Sequence, residues 1–215
     1  MAALTYSEML WRYAITRLLT LRVGMLILLV FTASAITSSD RTLFEMTVTG
    51  SMLVLLIFQF RFWDDLADVS FDREYFPQRI LAQCEHHQMF YPVVLLLAAA
   101  SGGVIFVWRA EWQTLVYLLL LASFVFLYRI FASREVHRVI RTHLVLLKYP
   151  AFIFVAPTTG NLYFAACIAA SVYFCLTIFD LLSDPALAHF NARHWIISSE
   201  VILMLLLLGA LLWTP

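Results

Sequence analysis

Seven apolar stretches of about membrane-spanning length dominate this sequence, and only short polar linkers separate them. The stretches cover residues 20–36, 44–63, 89–108, 112–131, 144–155, 162–179 and 195–213. The fifth is short, and we expect its helix to begin earlier, near Arg138. The runs are continuous and not alternating, which indicates helices and argues against a closed barrel. The pattern predicts an all-α polytopic transmembrane bundle of about seven spans.

Composition supports the same class of protein. The chain is 63% hydrophobic and 13% charged, and its mean hydropathy is +0.87. A soluble domain of this length would not contain so large a fraction of hydrophobic residues. Nothing indicates a soluble domain or a repeat, so residues 1–215 are expected to form a single integral membrane domain. The formal net charge is zero, so the overall charge does not indicate a nucleic-acid partner.

The distribution of Lys and Arg predicts the orientation. If the N-terminus is cytoplasmic, twelve of the 14 Lys and Arg residues fall on the cytoplasmic side, and only Arg41 and Arg109 fall outside. Cytoplasmic loops of membrane proteins carry such an excess of cations. We therefore expect a multi-pass protein whose N-terminus and acidic motifs, described next, lie on the cytoplasmic side.

Two groups of aspartates stand at the ends of apolar stretches. Asp64, Asp68 and Asp72 are four residues apart, with Asp65 beside them, and Asp180 and Asp184 repeat the spacing later in the chain. On a helix, residues four apart lie along one face. An ionised carboxylate near a bilayer core costs roughly 2.5–3.5 kcal/mol, so these groups need compensating cations. Because both groups are predicted on the same membrane side, we expect them to face one cavity.

Carboxylates in this setting suit Mg²⁺, which prefers oxygen ligands and commonly binds through carboxylates together with substrate phosphates. Cations near the two groups would hold the remaining phosphate oxygens. If the bound diphosphate is allylic, metal and Arg contacts stabilise the departing group. Aromatic faces, of which 18 Phe and 9 Tyr provide many, would stabilise the carbocation left behind.

The acidic segments resemble the motifs of a known family. The sequence Asp64-Asp65-x-x-Asp68-x-x-x-Asp72-Arg73 resembles the first motif of the UbiA superfamily of intramembrane prenyltransferases, written N/D-D-x-x-D-x-x-x-D. The sequence Asp180-x-x-x-Asp184 is similar to its second motif. The resemblance extends from about Tyr13 to Asp184. It implies a helical bundle in which Mg²⁺ and a prenyl diphosphate occupy a central cavity, and the prenyl group passes to a small, often aromatic acceptor.

The resemblance also implies roles for individual residues. The metal ligands would be Asp64, Asp65, Asp68, Asp72, Asp180 and Asp184, all of them catalytic except Asp65. The substrate-binding residues would be Arg73, Arg79, Tyr128, Arg134, Lys148 and Tyr173. The chain differs from the family in having seven predicted spans where nine are usual. It also has Ala132 where a Lys normally follows Tyr128, and Tyr173 and Leu176 where the second motif commonly carries further Asp and Tyr residues.

Two alternatives stay open at the level of sequence. One is a terpene cyclase of the same superfamily, which would need no acceptor. The other is a non-catalytic structural or lipid-binding subunit of a larger membrane complex; a homo-oligomer is also compatible with the sequence. Glu200, an acid inside the last apolar stretch, would face a cavity, pair with a neighbour or mark a helix contact.

Overall fold

The structure is a computed structural model that describes residues 5–38, 42–108, 111–133, 137–156, 161–183 and 191–213. Within these ranges every regular element is helical and no strand occurs. The α-helices are α1 Tyr6–Tyr13, α2 Leu21–Ile36, α3 Leu43–Ala67, α4 Val69–Tyr75, α5 Ile80–Gln83, α6 Tyr91–Trp108, α7 Glu111–Ser133, α8 Arg138–Leu146, α9 Lys148–Val155, α10 Leu162–Ser183 and α11 Arg193–Trp213. A π-helix, Ala14–Leu18, follows α1, and a 3₁₀-helix, His87–Phe90, precedes α6.

Several of these helices are compatible with a multi-pass membrane protein. By length and composition, five segments of the described chain can cross a membrane: Leu43–Ala67, His87–Trp108, Glu111–Ala132, Leu162–Ser183 and Arg193–Leu211. A sixth crossing results if Tyr6–Leu18 and Leu21–Ile36, which meet at an angle of 61°, are one bent span. The prediction of an all-helical protein is confirmed for the described residues, and the five or six segments are compatible with the predicted multi-pass arrangement.

The predicted stretch 144–155 does not form one helix of spanning length. It is divided between α8 and α9, which meet at Leu147. Pro150 explains the break, because its ring lacks the N–H that would bond to the Leu146 carbonyl and clashes with the preceding turn. As a result α9 begins at Lys148, whose side chain is completely buried.

The first helical segment has a capped N-terminus and ends in a π-helix. Thr5 and Glu8 form a capping box at the N-terminus of α1, which satisfies two backbone N–H groups at the helix start. The π-helix then adds a wider turn before Thr20 caps the N-terminus of α2. Such π-helical turns re-aim side chains and are frequent at functional sites.

The core consists of two main clusters that share α3. The larger cluster joins α2, α3, α6, α7, α9 and α10, with Phe60 and Phe152 at its centre. The smaller cluster packs Phe62 of α3 against Tyr13 and Phe90. Close packing of this kind is what associates helices in lipid. Because Phe60 and Phe62 are held on two sides, the end of α3 that carries the first acidic group is fixed in position.

Candidate functional site

A cavity of about 520 Å³ lies where the ends of several helices meet. Its lining includes five carboxylates, Asp64, Asp65, Asp68, Asp72 and Asp180. It also includes seven cationic side chains, Arg17, Arg22, Arg61, Arg79, Arg138, Arg141 and Lys148. The remaining lining residues include Val145, Leu146 and Tyr149, which give the cavity an apolar side. Among the described residues that line this space, formal cationic groups therefore outnumber formal anionic groups.

The first acidic group keeps its helical register across a junction. The helix α3 ends at Ala67 and α4 begins at Val69, with Asp68 between them. The amide of Asp68 still bonds to the carbonyl of Asp64 at 2.9 Å, and the amide of Asp72 bonds to the carbonyl of Asp68 at 2.8 Å. These bonds join residues four apart, so Asp64, Asp68 and Asp72 point to the same side and all line the cavity.

Asp64 receives hydrogen bonds from the buried side chain of Lys148 and from the partly buried side chain of Tyr128. Lys148 donates from the start of α9, and Tyr128 donates from α7. The Lys148 ammonium also lies 5.1 Å from the ring centre of Tyr149 and 5.5 Å from that of Phe124, within the range of cation–π attraction. This ion pair is withdrawn from solvent, and it neutralises the charge of Asp64 at the end of an apolar helix.

Asp65 is held by the first helical segment of the chain. Arg17 donates to both carboxylate oxygens, from Nε at 2.9 Å and from Nη2 at 2.6 Å. The hydroxyl of Tyr13 donates to Oδ2 at 2.9 Å. Tyr13 is the last residue of α1 and Arg17 lies in the π-helix that follows, so both donors come from this short stretch of chain. Paired Arg–carboxylate bonds of this geometry are among the stronger ionic contacts in proteins, so Asp65 anchors the N-terminal segment to α3.

Asp68 and Asp72 are each paired with an arginine. Arg141 of α8 donates to Asp68, and Arg79 donates to Asp72 at 2.5 Å. The Asp68 side chain is 37% exposed, whereas that of Asp72 is 2% exposed. The guanidinium of Arg79 stacks on Phe76, and that of Arg138 stacks on Phe71. Asp68 is thus the carboxylate of the first group that is most accessible to an incoming ligand.

The donor chemistry of the cavity fits Mg²⁺, but no metal site is preformed in the described part of the chain. No three His, Cys, Asp or Glu side chains among the described residues are arranged to hold a metal ion. Each carboxylate of the first group has a protein cation as partner instead. Mg²⁺ commonly uses one or two carboxylates together with water and substrate phosphates. Asp68, Asp72 and Asp180 line the same cavity and are carboxylates of the kind that Mg²⁺ prefers.

Some of the predicted substrate-binding residues line or reach the cavity, and others lie away from it. Arg79 and Lys148 line the cavity, and Tyr128 reaches it through Asp64. Arg73 instead donates to the carbonyls of Ala82 and Cys84, at 3.2 and 2.8 Å, and stabilises the segment after α4. Tyr173 packs with its ring 6.3 Å from that of His143. Neither residue belongs to the cavity lining, and Arg134 and Asp184 lie outside the described residues.

From the sequence, Arg61 is expected only to lie on the cytoplasmic side of the membrane, with no role in a binding site. It lines the cavity, and its Nε is buried without a hydrogen-bond partner among the described residues. Asp64 and Asp65 act on it only through their charge. Its position three residues before Asp64 would have placed it beside the acidic face. Tyr13 and Arg17 lack such a local signal, because they approach Asp65 from a different helix.

No protein-family model, curated protein or solved structure matches this chain, so the functional conclusion depends on the cavity itself.

Proposed function

We propose that this protein transfers a prenyl group from a prenyl diphosphate to a lipophilic acceptor, such as an aromatic ring, within the membrane. The observation that carries this proposal is the surplus of cationic over anionic side chains in a cavity at the end of apolar helices. A diphosphate group matches the cationic surplus. Val145, Leu146 and Tyr149, which also line the cavity, would contact the isoprenoid chain.

Three cations are the best candidates for direct contact with the phosphate oxygens. Arg61 brings a buried guanidinium whose Nε has no hydrogen-bond partner among the described residues. Arg138 and Arg141 enter the cavity from α8. As the bond between prenyl carbon and diphosphate oxygen breaks, negative charge accumulates on the departing diphosphate. Preorganised cations stabilise that charge more strongly than they stabilise the ground state.

Asp68, Asp72 and Asp180 would hold Mg²⁺. When bound, the metal supplies further charge stabilisation to the leaving diphosphate. Asp64 and Asp65 have a different task in this proposal. Each is paired with a cation of another helical segment, so they act as counterions that hold Lys148 and Arg17 in place at the cavity wall.

The arrangement in the membrane is part of the same proposal. We place the N-terminus and the cavity on the cytoplasmic side, following the distribution of Lys and Arg. In a UbiA-like bundle of seven spans, α8 and α9 together would form the fifth crossing, broken at Leu147. Broken helices are tolerated at membrane depth where they line a cavity, and both helices contribute residues to this one.

A second candidate is a lipid-binding subunit without catalytic activity. The specific observation in its favour is that every carboxylate of the first acidic group has a cationic partner. Such a site would bind the phosphorylated headgroup of a lipid and release it unchanged. A terpene cyclase differs from both, because it consumes the prenyl diphosphate without an acceptor.

The deciding experiment is product analysis with the full chain in lipid nanodiscs. Prenyl diphosphates of different lengths are supplied with and without aromatic acceptors, in Mg²⁺ and in chelator. We expect diphosphate release and a prenylated acceptor in Mg²⁺. Release without an acceptor, accompanied by a cyclic hydrocarbon, would indicate the cyclase. Binding without any release of diphosphate would contradict the enzymatic proposal and favour the lipid-binding subunit.

A further inference from the structure

Glu200 is an acid within the apolar helix α11, and both of its carboxylate oxygens have partners from other helices. Its side chain is buried, with 5% of the residue exposed. His143 of α8 places Nε2 at 2.7 Å from Oε1. Thr177 of α10 donates its hydroxyl to Oε2 at 2.8 Å. One carboxylate therefore joins three helices.

The hydrogen bonds of His143 specify the charge of this contact. Its Nδ1 lies 2.8 Å from the carbonyl oxygen of Val139, which can only accept, so Nδ1 carries a proton. Its Nε2 faces a carboxylate, which also accepts when ionised. With Glu200 ionised, both ring nitrogens of His143 donate, and the contact is an imidazolium paired with a carboxylate.

The helix α8 presents a different face to the cavity. Arg138, Arg141, Thr142 and Val145 line the cavity, whereas His143 contacts α10 and α11. Glu200 of α11 and Tyr173 of α10 face His143 directly, Thr177 of α10 bonds to the other oxygen of Glu200, and Asp180 of α10 acts on His143 through its charge. With nine residues, α8 is too short to be stable alone. Its position therefore depends on the contacts that anchor it.

We propose that the His143–Glu200 ion pair is a positioning pair that fixes α8 against α10 and α11, and thereby sets where Arg138 and Arg141 meet the diphosphate in the cavity. This inference rests on the proposed function, because it concerns the affinity of the same cavity for diphosphate. It assigns to Glu200 a role in ligand binding although no atom of Glu200 belongs to the cavity lining.

The test uses the full chain in nanodiscs and two measurements. The first is the affinity for inorganic diphosphate, and the second is the rate of amide hydrogen exchange in residues 138–146. Glu200→Gln keeps the size of the side chain and an acceptor for Thr177 but removes the charge. His143→Leu removes the cation. We expect each to weaken diphosphate binding about tenfold, within the usual range of coupling between sites, and to speed exchange in α8.

The variants should also reveal that the two residues act as one pair. The double variant should bind diphosphate no more weakly than either single variant. The effects of substituting the two members of one ion pair are not additive, because the first substitution already removes their interaction. His143→Lys should restore part of the affinity, since it supplies a cation to Glu200. If His143→Leu does not fold, Glu200→Gln together with His143→Lys decides the question.

Val139→Ala is the matched control. Val139 lies on the same helix and is buried against Leu181 at the same interface, but it contributes packing and no charge. It should lower the melting temperature and weaken diphosphate affinity much less than Glu200→Gln does. The inference is overturned if Glu200→Gln binds diphosphate as the wild type does, even with faster exchange. It is also overturned if Val139→Ala loses affinity equally. Failure of the wild type itself to bind diphosphate would instead reject the proposed function, and the positioning role with it.

Discussion

Lys148 donates a hydrogen bond to Asp64 from the first turn of α9, and its side chain is completely shielded from solvent. The two residues are 84 positions apart in the chain. The contact joins the end of α3 to the point where Pro150 breaks the helix formed by α8 and α9. A helix break and an acidic motif thus meet at one wall of the cavity.

Removing only Lys148 from the buried Lys148–Asp64 pair should destabilise the protein more than replacing both residues. Lys148→Met should lower the free energy of unfolding by about 3–5 kcal/mol, because Asp64 is left buried without its cation. The double variant Asp64→Asn with Lys148→Met should recover most of the loss, since no buried charge remains. Denaturant titration of the purified chain measures both. Equal stability of the single and double variants would contradict the pairing.

Asp68 should matter for ligand binding and little for folding. Asp68→Ala is expected to abolish Mg²⁺-dependent binding of prenyl diphosphate and to reduce turnover by about 10²–10³-fold, as for other lost electrostatic contacts. The melting temperature should not change, because the Asp68 side chain is the most exposed of the first acidic group. Glu74→Ala is the control, since Glu74 is an exposed carboxylate of the adjoining helix α4 outside the cavity lining. Normal binding and turnover by Asp68→Ala would leave the acidic segment with no part in the reaction.

Arg61 should be the most sensitive of the phosphate contacts. Arg61→Gln is expected to weaken diphosphate binding by about 10- to 100-fold, the equivalent of one hydrogen bond to a charged group. Arg61→Lys should retain part of the affinity, because it keeps the charge without the planar fork. Arg12→Gln makes the same change in charge at an exposed site outside the cavity and should bind as the wild type does. Calorimetric titration separates these outcomes, and equal losses in Arg61→Gln and Arg12→Gln would show that only overall charge matters.

The proposed topology can be tested with reporter fusions. If α8 and α9 together complete a seventh crossing, a reporter after Pro215 should lie outside when the N-terminus is cytoplasmic. A reporter inserted between α6 and α7, at residues 109–110, should be outside as well. A cytoplasmic C-terminus would mean that α8 and α9 do not cross, and that six spans suffice.

The sequence by itself determined the class of protein and the local geometry of the acidic motif. Apolar stretches of spanning length predict helices, because in lipid a helix satisfies its own backbone hydrogen bonds. The spacing of Asp64, Asp68 and Asp72 predicts a shared face, and the backbone bonds across Asp68 preserve it. Both results depend on interactions between residues no more than a few positions apart, which periodicity encodes directly.

Only the tertiary structure decided which partner each carboxylate has. Arg17 reaches Asp65 across 48 residues, and His143 reaches Glu200 across 57. Arg73 follows the acidic motif directly in sequence, yet its guanidinium turns to backbone carbonyls outside the cavity. Spacing within one helix determines which face a side chain occupies, but helix packing determines what that face meets. Packing in turn depends on the π-helix after α1 and on the break before Lys148, whose combined geometry no single stretch of sequence specifies.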